Sequence, residues 1–186
     1  MHFTMPELID ILMNPTLIFL DTEFSDFINT ELISIGLVSQ DDRHFYAELP
    51  VDVAECSDFV KGVVLPQLGK DSDAQCTLEQ LNVRLRTWLE QFKSDEPLVI
   101  CSDYSGDWAL FSYALFDEVP SWIRGANVNG YLNALREEIF WMDSKLDRHH
   151  ALNDAMALKA SFVLGRAERA NWLSPVLLNH PRKKPD

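Results

Sequence analysis

Cysteine, basic residues and long apolar runs are all scarce in this chain of 186 residues. Its three cysteines (Cys56, Cys76, Cys101) are widely spaced and odd in number, so they outline neither a disulfide framework nor a thiolate metal cluster. A reduced, cytoplasmic protein is the expectation. No apolar run approaches the roughly 18 residues that a membrane-spanning helix needs, and no basic stretch precedes an apolar one as in a secretory signal. No internal repeat or low-complexity segment is visible. Sixteen Lys and Arg against 29 Asp and Glu leave a formal charge of −13, with a pI near 4.7. That balance excludes a protein that grips long nucleic acid by counterion release. The deficit is uneven: residues 1–96 carry 18 acids and 6 bases, whereas residues 97–186 carry 11 and 10. Any nucleic acid is therefore expected to be held by short contacts at a strand end.

What is present suffices for one domain spanning 1–186, since 47% of the residues are hydrophobic. Pro6 followed by ELIDILMN predicts a short opening helix, capped by Thr4 and closed by Pro15. LIFLD (17–21) is continuously apolar, as a central strand is. ELISIGLVSQ (31–40) predicts a second strand, and Asp41-Asp42 a tight turn into a third, RHFYAEL. Helices are predicted from Ser57 to Leu65, stopped by Pro66, and from Thr77 to Lys93, with Thr77 and Gln80 spaced as a capping box. PLVICSD (97–103) predicts a buried strand and Asp107 to Phe116 a helix. GANVNG (125–130) is ambiguous, with room for a fifth, edge strand. Tyr131–Met142 and Ala151–Leu164 predict the last helices, the latter stopped by Gly165, with a core over 17–164. NHPRKKPD reads as a polar tail, mobile over 180–186. Three antiparallel strands continued by one or two parallel ones, covered by helices, make an α/β layered sheet.

Three places carry chemistry. Asp21 and Glu23 lie two apart at the end of a buried strand, so their side chains point the same way. Asp103 and Asp107 follow the carboxyl end of another buried strand, where α/β sheets place ligand sites. His149, His150 and Asp154 sit where the final helix begins. Each alone has an ordinary explanation as a solvated turn, a helix-start acid or a cap. Together they are four or five carboxylates with no local basic partners, and such a cluster needs compensation. Oxygen-rich, thiolate-free ligands suit two Mg²⁺ or Mn²⁺ ions. A metal pair of this kind brackets a phosphodiester, and a neighbouring imidazole titrates in the range that suits a general base.

LDTEF, CSDYSGDWALF and HHALNDAMAL resemble, in order, the three motifs of the DEDDh 3′–5′ exonucleases of the ribonuclease H-like superfamily. The likeness runs over roughly residues 17–164, and the short opening is most similar to that of a family of small bacterial 3′–5′ exoribonucleases. The resemblance implies a ribonuclease H-like mixed sheet, with Asp21, Glu23, Asp107 and Asp154 as metal ligands. It also implies that His149, through the His-x₄-Asp spacing, and not His150, is the base. The implied activity is two-metal hydrolysis of single-stranded RNA or DNA 3′ ends to nucleoside 5′-monophosphates, tilted toward RNA, with room for a homodimer and no membrane. Asp103 stands where many relatives carry Asn. Phe24 and Trp108 flank the motifs and could stack a terminal base, or simply belong to the core. Arg148 and Lys145 are candidates for phosphate contacts. The rival readings are an endonuclease, a small-ester phosphatase, and a non-catalytic relative that binds a nucleic-acid end or a protein.

Overall fold

The computed structural model describes residues 16–163. The helix expected within 1–15, Leu164 with its Gly165 stop, and the polar tail lie outside the described residues. Five strands form one sheet: β1 (Leu17–Phe24), β2 (Leu32–Ser39), β3 (His44–Glu48), β4 (Leu98–Ser102) and β5 (Ile123–Asn127). Their order is β3-β2-β1-β4-β5, with β1–β2–β3 antiparallel and β4 and β5 parallel to β1. This is the mixed α/β sheet that the pattern predicts, with two parallel strands. The ambiguous stretch does hold the fifth strand, begun two residues early at Ile123.

Both faces of the sheet are covered, which is why β2 is buried at all eight positions, Ser34 and Ser39 included. Helices α1 (Leu78–Glu90) and α2 (Ser105–Ala114) cover one face. There Ile18, Leu20, Leu37 and Ile100 pack with Leu81, Leu85 and Phe111. Helices α3 (Ala134–Ser144) and α4 (Ala151–Ser161) form a hairpin, and α4 lies on the other face, where Phe19, Val99 and Cys101 meet Ala155 and Leu158. Helix α1 opens with the expected capping box, Thr77 and Gln80 satisfying each other's backbone N–H.

Several boundaries move. Helix α2 begins two residues before Asp107, placing that carboxylate inside the first turn; α3 spans Ala134–Ser144, starting later than predicted; and α4 stops at Ser161. The helix predicted from Ser57 to Leu65 is a wide π turn over Val60–Val64 followed by a 3₁₀ turn over Leu65–Gln67. Pro66 does not end it. It sits in the first turn of the 3₁₀ helix, where no N–H is required.

The strand alternation also positions chemistry. Ile18 and Leu20 face α1 and α2, and Thr22 continues that row; Phe19 faces α4, and Asp21 and Glu23 continue on that side. The β1–β4 pairing ends at Phe19–Cys101, so Asp21 to Glu23 run past the end of β4. The loop from β4 into α2 fills that gap.

Gly36 is paired with Asp21 across β1–β2. A Cβ there would come to 2.3 Å from the Ala151 carbonyl carbon and the Leu152 nitrogen. The absent side chain lets the first turn of α4, and with it Asp154, approach the strand that carries Asp21. Gly36→Ala is therefore expected to destabilise the protein by about 3 kcal/mol, the upper range for overpacking. Thermal melts of the two proteins check this. An unchanged melting temperature would contradict the close approach.

Candidate active site

The carboxylates predicted from the sequence converge at the carboxyl ends of β1 and β4. Ligand atoms of Asp21, Asp103 and Asp107 lie within 4.8 Å of one another, and so do those of Glu23, His149 and Asp154. Asp103 thus joins Asp107 and does not replace it. A cleft of about 270 Å³ opens over Asp21, Glu23, Asp103, His149 and Asp154, with α3 forming its far wall. Asp107 lies beneath it, 2% exposed.

Two of the carboxylates are held by hydrogen bonds. The Thr22 hydroxyl donates to Asp107 Oδ1 at 2.7 Å, leaving Asp107 Oδ2 buried with no hydrogen-bond partner. Asp154 Oδ2 accepts the backbone N–H of His150 at 2.9 Å, tying the first turn of α4 to the preceding loop. His149 has a left-handed backbone, φ 62°. Its neighbour His150 turns inward and stacks on Tyr46, ring centroids 4.4 Å apart. Burial holds its imidazole below the usual histidine range. The two histidines separate, His149 lining the cleft and His150 at the N-cap of α4.

The electrostatics are those of crowded like charges. Burial, and then the charges of Asp107, Asp154 and Glu23, push Asp21 well above the usual carboxylate range. Burial followed by Asp154 and Asp107 raises Glu23 to about 8. Burial raises Asp107 to about 7 against the opposing Thr22 hydrogen bond, and Asp154 to about 6 against the His150 N–H. An unpartnered buried carboxylate oxygen, two sets of ligand atoms within 4.8 Å and an all-oxygen-and-imidazole donor set fit divalent cations.

A carboxyl whose folded pKa stands above its unfolded value contributes stability that is complete below the unfolded pKa and lost as pH rises through the folded one. In chelator the protein is expected to melt at progressively lower temperature from about pH 4 up to about pH 8, the value for Glu23. The stabilisation by added Mn²⁺ should grow over the same window, because the ligands must be deprotonated. Melting curves across that range, with and without Mn²⁺, test it. A Mn²⁺ increment that shrinks with rising pH would show that these carboxyls are not the ligands.

The remaining sequence candidates separate. Phe24 packs partly on the core and stacks 6.2 Å from Tyr104, with Phe27 edge-on at 5.1 Å. Phe27 is 78% exposed and Tyr104 47% exposed. These rings form an aromatic cluster that includes the residues directly after Glu23 and Asp103, though none of them lines the cleft itself. Trp108 does not line the cleft. It stacks on Phe111 and covers Gly125, where a Cβ would meet its ring at 2.6 Å. Arg148 pairs with Glu138 at 3.3 Å and lies over the Trp141 ring at 5.0 Å, while Lys145 ends α3 in a left-handed turn. Glu137 and Trp141, on the cleft wall, carry no sequence signal. Both come from a helix whose acids and aromatics look like any amphipathic surface.

Neither any protein-family model nor any curated protein sequence matches the chain. Among solved structures it is similar to the nuclease domain of 3'hExo, a DEDDh family member bound to rAMP. That likeness has a TM-score of 0.50 and 14% identity over 82% of this chain and 96% of that one. It is also similar to cell-death related nuclease 4 (CRN-4), with a TM-score of 0.54 and 16% identity, covering 77% of this chain and 61% of that one. The chain shares the fold of these nucleases, a ribonuclease H-like mixed sheet with flanking helices. Among the described residues no helix is long and apolar enough to cross a membrane.

Proposed function

We propose that this chain is a metal-dependent 3′–5′ exonuclease acting on single-stranded RNA ends, akin to the small bacterial exoribonucleases. The observation that carries the reading is the convergence of Asp21, Glu23, Asp107, Asp154 and His149, from three separate segments, with one buried carboxylate oxygen left open. Asp21, Asp107 and Asp103 would hold one Mg²⁺ or Mn²⁺, and Glu23 and Asp154 the other. When bound, the cations polarise the scissile phosphate and lower the pKa of the attacking water. His149, at the cleft surface beside Glu23 and Asp154, takes the proton from that water. The Thr22 hydroxyl and the His150 N–H keep one oxygen each of Asp107 and Asp154 fixed, so the carboxylates need not reorganise during the reaction.

Among the described residues acids outnumber bases, so the strand is held mainly at its end. The exposed rings of Phe27 and Tyr104, with Phe24 behind them, supply stacking worth about 1–3 kcal/mol per base without sequence preference. Three buried free cysteines suit a reducing, cytoplasmic setting. A homodimer, which the motif resemblance allows, is read by sedimentation.

The test uses 5′-labelled single-stranded RNA and DNA oligomers and a single-stranded circle, with Mn²⁺, Mg²⁺ or chelator. A ladder of products shortened from the 3′ end, release of nucleoside 5′-monophosphates, an intact circle and silence in chelator are expected. Cleavage of the circle would make the protein an endonuclease. Tight, metal-dependent binding of the oligomers without hydrolysis would make it a binding relative.

A further inference from the structure

The five motif residues do not account for how His149 is held. Its backbone is left-handed, a conformation costly for any residue but glycine and one that persists only where the surroundings enforce it. It lies in the short loop between α3 and α4, and its side chain faces an open cleft. The restraint comes from a segment that belongs to none of the motifs. The side-chain nitrogen of Gln67 donates to the Arg148 carbonyl at 2.6 Å and lies 3.0 Å from the His149 carbonyl. It also lies 3.2 Å from the carbonyl of Val63, on its own segment. Phe59, on the same segment, sets its ring perpendicular to the His149 imidazole with centroids 5.0 Å apart.

That segment is anchored independently of the loop it grips. Val60, Val64 and Cys56 bury themselves against Ile33 of β2 in a small separate core. Its helical path changes from a π turn to a 3₁₀ turn between Val64 and Leu65, and Gln67 is the last residue of that 3₁₀ turn. Wide turns of this kind are uncommon and concentrate at functional positions. Gln67 thus connects a fixed point on the sheet to two consecutive carbonyls flanking the catalytic imidazole.

We propose that Gln67 is a positioning residue for His149: its amide donates to the 148 and 149 carbonyls and holds the imidazole over Glu23 and Asp154, while Phe59 limits the ring's rotation. The proposal rests on the reading of His149 as the general base. Losing the amide leaves every metal ligand in place, so the cost falls on the proton-transfer step and not on substrate or metal binding.

Gln67→Leu keeps the approximate shape and removes the donors, and Gln67→Glu keeps the size while also removing them. Each is expected to lower kcat on an RNA oligomer about 10-fold, less than the 10²-fold that a misplacement of about 1 Å can cost. KM and the Mn²⁺ midpoint should stay unchanged. The decisive comparison is in a His149→Ala background, by single-turnover assay at high enzyme concentration. There the Gln67 change should cost nothing further, because the group it positions is gone. If Gln67→Leu fails to fold, Gln67→Glu carries the comparison. An unchanged kcat, a loss that follows Mn²⁺ affinity, or the same factor lost again without His149 overturns the proposal. A wild-type protein that leaves oligomers intact, or a His149→Ala protein with normal turnover, overturns the underlying reading instead.

Discussion

Asp107→Asn is expected to silence turnover and, in the absence of metal, to make the protein more stable. The two effects have one cause. Asp107 is almost fully buried, and its carboxyl is pushed up to about 7 chiefly by that burial. Desolvation and neighbouring acids thus work against the charged form that a cation requires. Asn keeps the shape and still offers Oδ1 to the Thr22 hydroxyl, so packing is preserved while the charge is removed. What is lost is the open Oδ2 and the negative charge of one metal position. A bound cation supplies several kcal/mol of transition-state stabilisation; at 1.36 kcal/mol per tenfold, a loss of about 4 kcal/mol lowers the rate by about 10³-fold. The expected pattern is turnover down by at least that factor, a higher melting temperature in chelator at neutral pH, and a much smaller rise on adding Mn²⁺. Steady-state kinetics and melting curves on the same preparation test all three. Turnover within tenfold of the parent would remove Asp107 from the metal site.

How far such a site can be read from sequence depends on whether its residues lie on regular elements. Asp21 and Glu23 were legible because strand alternation dictates that they share a side, and the apolar run before them dictates that they end a buried strand. The succession of strands along the chain was legible from the same apolar runs and the turn residues between them. Asp107 was legible as a helix-start acid after a strand, although its two-residue offset inside α2 was not. Tyr104 is the N-cap residue without a side-chain cap bond, so nothing in the sequence marks the boundary. Gln67 and Phe59 carried no signal at all. Their partners are 81 to 90 residues away in the chain, and a glutamine beside a proline has no local pattern that distinguishes it from a surface turn. The role of Gly36 was hidden too, because a glycine inside an apolar strand reveals a close approach only once the approaching helix is seen.

His149→Ala is expected to cut turnover by about 10²–10⁴-fold, the range for loss of a positioned general base, while leaving the metals bound. This differs from the Asp107 result in a way that kinetics alone cannot reveal. His149 shares a 4.8 Å neighbourhood with Glu23 and Asp154, close enough for its imidazole to serve as a ligand and not a base. Two features favour the base. The ring faces the open cleft, where an attacking water has access, whereas Asp21 and Asp107, the proposed ligands, are less exposed. The oxygens of Glu23 and Asp154 already supply the hard donors that Mg²⁺ prefers over imidazole nitrogen. Mn²⁺ titration by calorimetry therefore decides the matter alongside the rate. An unchanged midpoint with a rate lower by at least about 10² assigns proton transfer to His149. A midpoint weakened in step with the rate makes it a metal ligand, and the water's proton must then leave by another route.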